Sequence, residues 1–81
     1  MRIDKFLKVA RILKRRTVAN EATKSGRVTV NGKEVKPAYN LKIGDVVEIG
    51  FGENKVKFKV KELKETVKKD QVDSLYEIIN D

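Results

Sequence analysis

The hydrophobic pattern of this 81-residue chain changes its period close to Gly26. Before that glycine, apolar residues recur every three to four positions, which is typical of amphipathic helices. After it they alternate with polar residues, which is typical of strands that bury one face. The pattern predicts an α+β domain in which a helix pair packs on a small, mostly antiparallel sheet.

The first helix is predicted to carry an apolar stripe that faces the core, made of Ile3, Phe6, Leu7, Ala10 and Leu13. Asp4 lies in its first turn, where a carboxylate suits the positive end of the helix dipole and can pair with Lys8. Helix stabilisation is therefore preferred for Asp4 over contact with a ligand.

A second, shorter helix is predicted over residues 18–25, with Thr17 as its N-cap. Gly26 is expected to take the left-handed conformation that ends this helix. The joint between the two helices, residues 14–17, concentrates three cations at a bend.

Strands are predicted at residues 28–30, 33–36, 46–49 and 55–61. Asn31-Gly32 is a strong two-residue hairpin signal, and Pro37 closes the second strand because proline cannot donate to a ladder. Gly44-Asp45 and residues 50–54 are predicted turns.

The strand predicted at 55–61 alternates strictly, with Val56, Phe58 and Val60 inward and four lysines outward. These lysines could bind RNA, or they could prevent edge-to-edge pairing while nearby glutamates balance their charge. The second interpretation is preferred.

A C-terminal helix is predicted from about residue 70, with its cap at Asp70 or a neighbour. Its apolar positions follow the helical spacing: Val72, Leu75, Tyr76 and Ile79. This stripe is expected to pack on the sheet rather than to dock a partner protein.

Positive charge is confined to the first third of the sequence. Residues 1–27 hold nine Lys or Arg and two acids, whereas residues 28–81 hold ten Lys and ten acids, so the net charge of +7 belongs to residues 1–27. This localisation indicates a polyanionic partner, nucleic acid above all, rather than a generally solvated surface. Charge alone does not separate RNA from DNA.

Arginines are weighted above lysines as phosphate ligands, because a planar guanidinium can donate to two phosphate oxygens. Phe6 and Phe58 are assigned to the core, which leaves Tyr39 as the candidate for stacking on a base. Recognition is therefore expected to depend on RNA shape and backbone rather than on unstacked bases.

The composition argues against several other classes of protein. The absence of His and Cys removes the commonest general base, the commonest metal ligand and all disulfides, so no enzyme, metal or cofactor is expected. No apolar run approaches the roughly 20 residues of a membrane span. Lys8 and Arg11 interrupt any signal-peptide core, so a cytoplasmic location is expected.

Several motifs occur together in residues 1–50: Arg2-Ile3-Asp4-Lys5-Phe6-Leu7, Arg11, Lys14-Arg15-Arg16-Thr17, residues 26–32, Lys36-Pro37 and Gly44-Asp45. This set resembles the S4 RNA-binding domain family, named after protein four of the small ribosomal subunit. The resemblance implies the α-L RNA-binding motif within a single domain of residues 1–81, with a C-terminal strand and helix at 55–80.

By position, the family's RNA-facing residues fall on Arg2, Lys5, Arg11, Lys14, Arg15, Arg16, Thr17, Lys24, Arg27 and Asn31. Thr17 and Asn31 could equally be purely structural, as a helix cap and a turn residue.

Two free-standing bacterial forms of this family are similar to the chain: a heat-shock type that binds free large ribosomal subunits, and the RqcP type of ribosome-associated quality control. Short length, an acidic rather than basic C-terminal segment and the opening of residues 6–9 favour the RqcP type. This resemblance implies a monomer that binds rRNA of the large subunit and stalled peptidyl-tRNA. There it helps a partner factor to extend the nascent chain with alanine.

Two alternatives come from other classes of function. The first helix could lie on a membrane surface as a basic amphipathic anchor. The predicted C-terminal helix could serve as a protein adaptor.

Overall fold

The computed structural model describes residues 1–79 and contains two α-helices and five strands. The elements are α1 (Ile3–Val9), α2 (Arg16–Lys24), β1 (Val28–Val30), β2 (Lys33–Glu34), β3 (Val46–Phe51), β4 (Asn54–Val60), a 3₁₀ helix (Lys69–Ser74) and β5 (Tyr76–Ile78). The strands form one sheet in the order β2-β1-β3-β4-β5, and every pairing is antiparallel. The predicted α+β class is confirmed.

The core lies between the helix pair and one face of the sheet. All five residues of the predicted apolar stripe are buried, and the ring of Phe6 stacks on that of Phe58 with centroids 6.1 Å apart. Phe58 and Val60 are buried as predicted, whereas Val56 is half-buried. Because the apolar face of α1 packs against this core, that face is not available to a lipid surface.

The β1–β2 hairpin has the predicted two-residue turn. Asn31 and Gly32 have φ values of 52° and 86°, and Val30 pairs with Lys33 across the turn. Positive φ at both positions is the signature of the type I′ turn, whose twist matches that of the strands. The second strand is shorter than predicted and ends at Glu34.

Helix α1 ends at Val9, before the last residue of the predicted apolar stripe, and a left-handed arginine follows its C-cap. The amide of Arg11 donates to Lys8 O (3.0 Å) and that of Ile12 donates to Leu7 O (3.1 Å), while Arg11 has φ 58°. This is the Schellman arrangement, with arginine in the place that glycine usually takes. Leu13 remains buried although it lies beyond the helix.

Helix α2 ends at Lys24, and Gly26 takes the left-handed conformation predicted to terminate it. Gly26 has φ 79°, and the amides of Gly26 and Arg27 donate to Thr23 O (3.2 Å) and Ala22 O (3.1 Å). The prediction of Thr17 as the N-cap is wrong, because the helix begins at Arg16. Arg15 occupies the cap position and makes no side-chain capping bond.

The β3–β4 hairpin is tighter than predicted. Strand β3 runs to Phe51 and β4 begins at Asn54, so the turn is Gly52-Glu53 rather than residues 50–54. The two additional residues of β3 place Phe51 at the end of that strand.

The predicted C-terminal α-helix is wrong: the segment forms the 3₁₀ helix and then β5. The carbonyl of Leu75 accepts the amides of Lys61 (2.8 Å) and Glu62 (3.2 Å), and β5 then pairs with β4. The free edge of β4 thus supplies backbone partners that a helix would leave unused. Residues 80 and 81, where the predicted helix ended, lie outside the described residues.

Strand β4 is therefore an interior strand. The preferred prediction, that its lysines prevent edge-to-edge pairing, is wrong. Lys55 pairs with Glu48 (3.4 Å) and Lys61 with Glu77 (3.7 Å) on the neighbouring strands. Within residues 1–79, no helix has both the length and the apolar character needed to cross a membrane.

Candidate nucleic-acid interface

A single buried carboxylate joins the two helices. Asp4 of α1 is 1% exposed, and Arg2 donates to both of its oxygens, from Nε to Oδ1 (3.2 Å) and from Nη2 to Oδ2 (3.1 Å). Asn20 of α2 donates to Oδ2 (3.3 Å), and Nε of Arg16 lies 3.6 Å from the same oxygen. Asp4 therefore holds two arginines and an amide in place of its predicted partner, Lys8.

The pKa of Asp4 reflects this environment. Burial alone would raise the pKa, because it removes water from the charged form. Hydrogen bonds from Asn20 and Arg2 and the positive charges of Arg16 and Arg2 outweigh burial, so the pKa lies below its ordinary value. The carboxylate is therefore ionised at neutral pH.

The two arginines that Asp4 holds remain accessible to a ligand. The side chains of Arg2 and Arg16 are 46% and 48% exposed, and they line a groove of about 330 Å³ with Thr17, Asn20 and other α2 residues. The carboxylates of Asp4 and Glu21 line the same groove and balance the two guanidiniums, whose exposed N–H groups remain available to phosphate oxygens. We call Arg2 and Arg16 the Asp4-held arginine pair.

A second group of cations surrounds the end of α1. Lys8, Arg11 and Lys14 line a groove of about 450 Å³ against the segment Glu65–Val67. All three side chains are exposed, and the left-handed turn at Arg11 separates Lys14 from the helix.

A third groove connects these two groups. It is lined by Leu13, Thr17, Val18, Glu21, Ala22, Ser25, Arg27, Gly50 and Phe51. Leu13 also lines the groove of Arg11, and Thr17 and Glu21 also line the groove of the Asp4-held arginine pair. Three grooves that share lining residues thus hold six of the predicted residues, which we call the cationic surface: Arg2, Arg11, Lys14, Arg16, Thr17 and Arg27.

The other four predicted residues have different surroundings. Lys5 forms an ion pair with Glu65, and Lys24 lines a groove beside β2 that holds none of the other predicted residues. Arg15 is exposed at the start of α2. Asn31 uses its side chain in the hairpin, donating to Asp45 Oδ1 (3.1 Å) and accepting from the amide of Val46 (3.0 Å). Asn31 therefore holds the β1–β2 turn against the Gly44-Asp45 turn.

Three residues at this surface were missed from the sequence. Lys8 lines the groove of Arg11, and Asn20 touches Asp4, which its position one turn after Arg16 could have indicated. Phe51 is an exposed aromatic, whereas the predicted stacking candidate, Tyr39, packs against the core.

Comparison with known proteins places these observations in a family. The S4 domain family model matches residues 1–47. The RQC P-site tRNA stabilizing factors of Listeria monocytogenes and Streptococcus pneumoniae are 48% and 49% identical to the whole chain, which covers 88% and 92% of their lengths. That of Bacillus subtilis is 43% identical, again over the whole chain and 94% of its own length. The predicted resemblance is confirmed.

Solved structures share the fold. The trimeric structure of Vibrio cholerae heat shock protein 15 has a TM-score of 0.91 at 25% identity, over 98% of this chain and 81% of that one. A solution structure of a hypothetical protein has a TM-score of 0.85 at 24% identity, over 100% and 99% of the two chains, and shows the fold alone.

Proposed function

Because the chain belongs to the S4 domain family, we propose that it is a non-enzymatic RNA-binding factor of bacterial ribosome-associated quality control. It binds rRNA and tRNA on a large ribosomal subunit that still carries stalled peptidyl-tRNA. It acts as a monomer in the cytoplasm, and its binding supports a partner factor that adds alanine residues to the C-terminus of the nascent chain. Full-length similarity to factors named for stabilising P-site tRNA supports this proposal.

The observation that carries the proposal is the Asp4-held arginine pair. A flexible arginine loses side-chain entropy when it binds a phosphate, and fixing the guanidinium beforehand reduces that cost. Asp4 fixes two guanidiniums, one from the residue before α1 and one from α2, while leaving about half of each side chain exposed. The surface is therefore organised for a folded polyphosphate before the ligand arrives.

The proposed RNA contacts extend along the rest of the cationic surface and include the separate cations Lys5, Arg15 and Lys24. Lys5 must leave Glu65 before it can contact a phosphate. Thr17 lies beside Arg16 and can donate its hydroxyl proton to a phosphate oxygen. Asn31 contributes by holding its hairpin, since its amide is already hydrogen-bonded within the protein.

Co-sedimentation with large subunits that carry peptidyl-tRNA tests the proposal. Arg16→Ala should weaken binding by about tenfold, because a charge-assisted hydrogen bond contributes about 1.5–3 kcal/mol. Lys59→Ala is the control, since Lys59 is exposed and alternates along β4 with the buried Phe58 and Val60, which places it on the sheet face away from the helix pair. Equal binding of the two variants and the wild type would contradict the proposal.

A second candidate function is binding of free large subunits, as in the heat-shock type. The TM-score of 0.91 to Vibrio cholerae heat shock protein 15 favours it. Matched subunits with and without peptidyl-tRNA separate the two functions. A quality-control factor binds the subunits that carry peptidyl-tRNA more tightly, whereas a protein of the heat-shock type binds the free subunits at least as tightly.

A further inference from the structure

Phe51 is an aromatic residue that the fold leaves partly uncovered beside the cationic surface. Val47 and Ile49 of β3 are fully buried, and Phe51 follows at the same two-residue period, so it belongs to the face that the helices cover. Phe51 lies at the end of the strand, where the cover stops, and it is 38% exposed.

The groove at Phe51 combines apolar walls with a polar rim. Val18 and Ala22, one turn apart on α2, and Leu13 supply aliphatic surface opposite Phe51. The rim holds Arg27, Glu21 and hydroxyl groups, and the groove has a volume of about 320 Å³. That volume is at the small end of ligand sites, so the groove suits one small planar group.

The charged residues of the rim favour one orientation of a ligand in the groove. A phosphate is attracted to Arg27 but repelled by Glu21, which is exposed in the same groove. A nucleobase beside Glu21 avoids this repulsion, because its amino or imino N–H can donate to the carboxylate. Stacking on Phe51 needs only the flat face that every base presents.

We infer that the groove formed by Phe51, Val18, Glu21 and Arg27 is a subsite for one unpaired RNA base, stacked on Phe51 with its phosphate beside Arg27. This inference rests on the proposed RNA-binding function and extends it from backbone contact to base contact. The base inserts between α2 and the tip of the β3–β4 hairpin, and the strand that carries it continues over the cationic surface.

The test measures the affinity of a short oligoadenylate RNA and of an abasic ribose-phosphate chain of equal length. Phe51→Ala should weaken oligoadenylate binding about fivefold or more, in line with stacking energies, and change binding of the abasic chain less than about twofold. Phe51→Trp should keep the affinity for oligoadenylate, since it keeps an aromatic face. Ile43→Ala, which truncates another exposed apolar residue, should change neither affinity.

A spectroscopic measurement locates the base. Adenosine monophosphate, but not ribose 5-phosphate, should shift the methyl resonances of Val18, and Phe51→Ala should abolish the shift. The amide spectrum of the same variant reports whether its fold is retained.

Failure of the subsite differs from failure of the proposed function. If Phe51→Ala lowers both affinities equally, or lowers neither, the base subsite is wrong while RNA binding stands. If the wild type binds neither RNA nor large subunits, the proposed function itself is wrong, and the subsite falls with it.

Discussion

The Nε of Arg16 lies 3.6 Å from the Oδ2 of Asp4, so a carboxylate in the first helix holds a cation from the second. The same carboxylate accepts two hydrogen bonds from Arg2. The packing of the helix pair and the placement of its arginines therefore depend on one ionised group. A buried polar contact thus positions two of the residues that are proposed to contact RNA.

Replacement of Asp4 should change both stability and its dependence on pH. The folded pKa of Asp4 lies below its ordinary value, so the unfolded chain binds more protons in the acid range and stability falls as pH decreases through it. This contribution is complete above about pH 5, where the unfolded carboxyl, with a pKa of about 3.9, is also ionised. Asp4→Asn should cost about 1–2 kcal/mol at pH 7, where hydrogen bonds to a charged group are lost.

Urea unfolding followed by circular dichroism between pH 3 and 7 measures this effect. The difference between the wild type and Asp4→Asn should shrink as the pH falls below 4. Asp70→Asn, at an exposed acid of the 3₁₀ helix, is the control. A difference that stays constant with pH would show that Asp4 acts through packing and not through its charge.

Replacement of Arg11 by glycine should separate stability from function. Arg11 has φ 58°, and the left-handed conformation costs an L-residue with a Cβ roughly 1–2 kcal/mol. Arg11→Gly should therefore stabilise the chain by about 1 kcal/mol in urea unfolding while weakening RNA binding. Arg11→Lys keeps the charge and the backbone strain, so it should change neither the stability nor the RNA affinity. If Arg11→Gly binds large subunits as tightly as the wild type, Arg11 has no place in the interface.

Replacement of Gly26 tests the end of α2. A Cβ on Gly26 would lie 2.7 Å from Oε1 of Glu34, and φ 79° disfavours any L side chain. Because Glu34 can move, the backbone conformation sets the cost, and Gly26→Ala should destabilise the chain by about 1 kcal/mol. Gly50→Ala is the matched control, since its nearest atom would be Arg27 O at 3.9 Å. Equal thermal midpoints for the two variants would contradict the assigned role.

The salt dependence of RNA binding counts the phosphate contacts. About five contacts predict a slope of log affinity against log salt between roughly −3.5 and −4.5, depending on whether the RNA is single- or double-stranded. Arg16→Ala should reduce the magnitude of this slope by roughly 0.7–0.9, whereas Phe51→Ala should leave it unchanged because stacking releases no counterions. An unaltered slope in Arg16→Ala would show that Arg16 does not contact a phosphate.

The parts of the fold that depend on local sequence were predictable. The buried stripe of α1, the glycine that ends α2 and the Asn31-Gly32 turn follow from periodicity and turn chemistry. The C-terminal segment was not, because the spacing of Val72, Leu75 and Tyr76 suits a helix, and only the open edge of β4 makes a strand more favourable.

The candidate site was likewise predictable only in part. The concentration of charge in residues 1–27 indicated which part of the chain is expected to face a polyanion. The sequence did not reveal that Asp4 is shared between two helices, because Arg16 and Asn20 approach it only in the folded chain. The sequence pattern also assigned Phe51 to a turn, whereas the longer β3 strand places Phe51 in the same groove as Arg27.

Crosslinking the bound protein to RNA tests the central claim most directly. Large subunits carrying peptidyl-tRNA are irradiated with the wild-type chain, and the crosslinked peptides are identified by mass spectrometry. RNA lying on the helix pair predicts adducts within residues 2–27, together with Phe51. Adducts confined to the lysine-bearing face of β4, with none on the helix pair, would contradict the account.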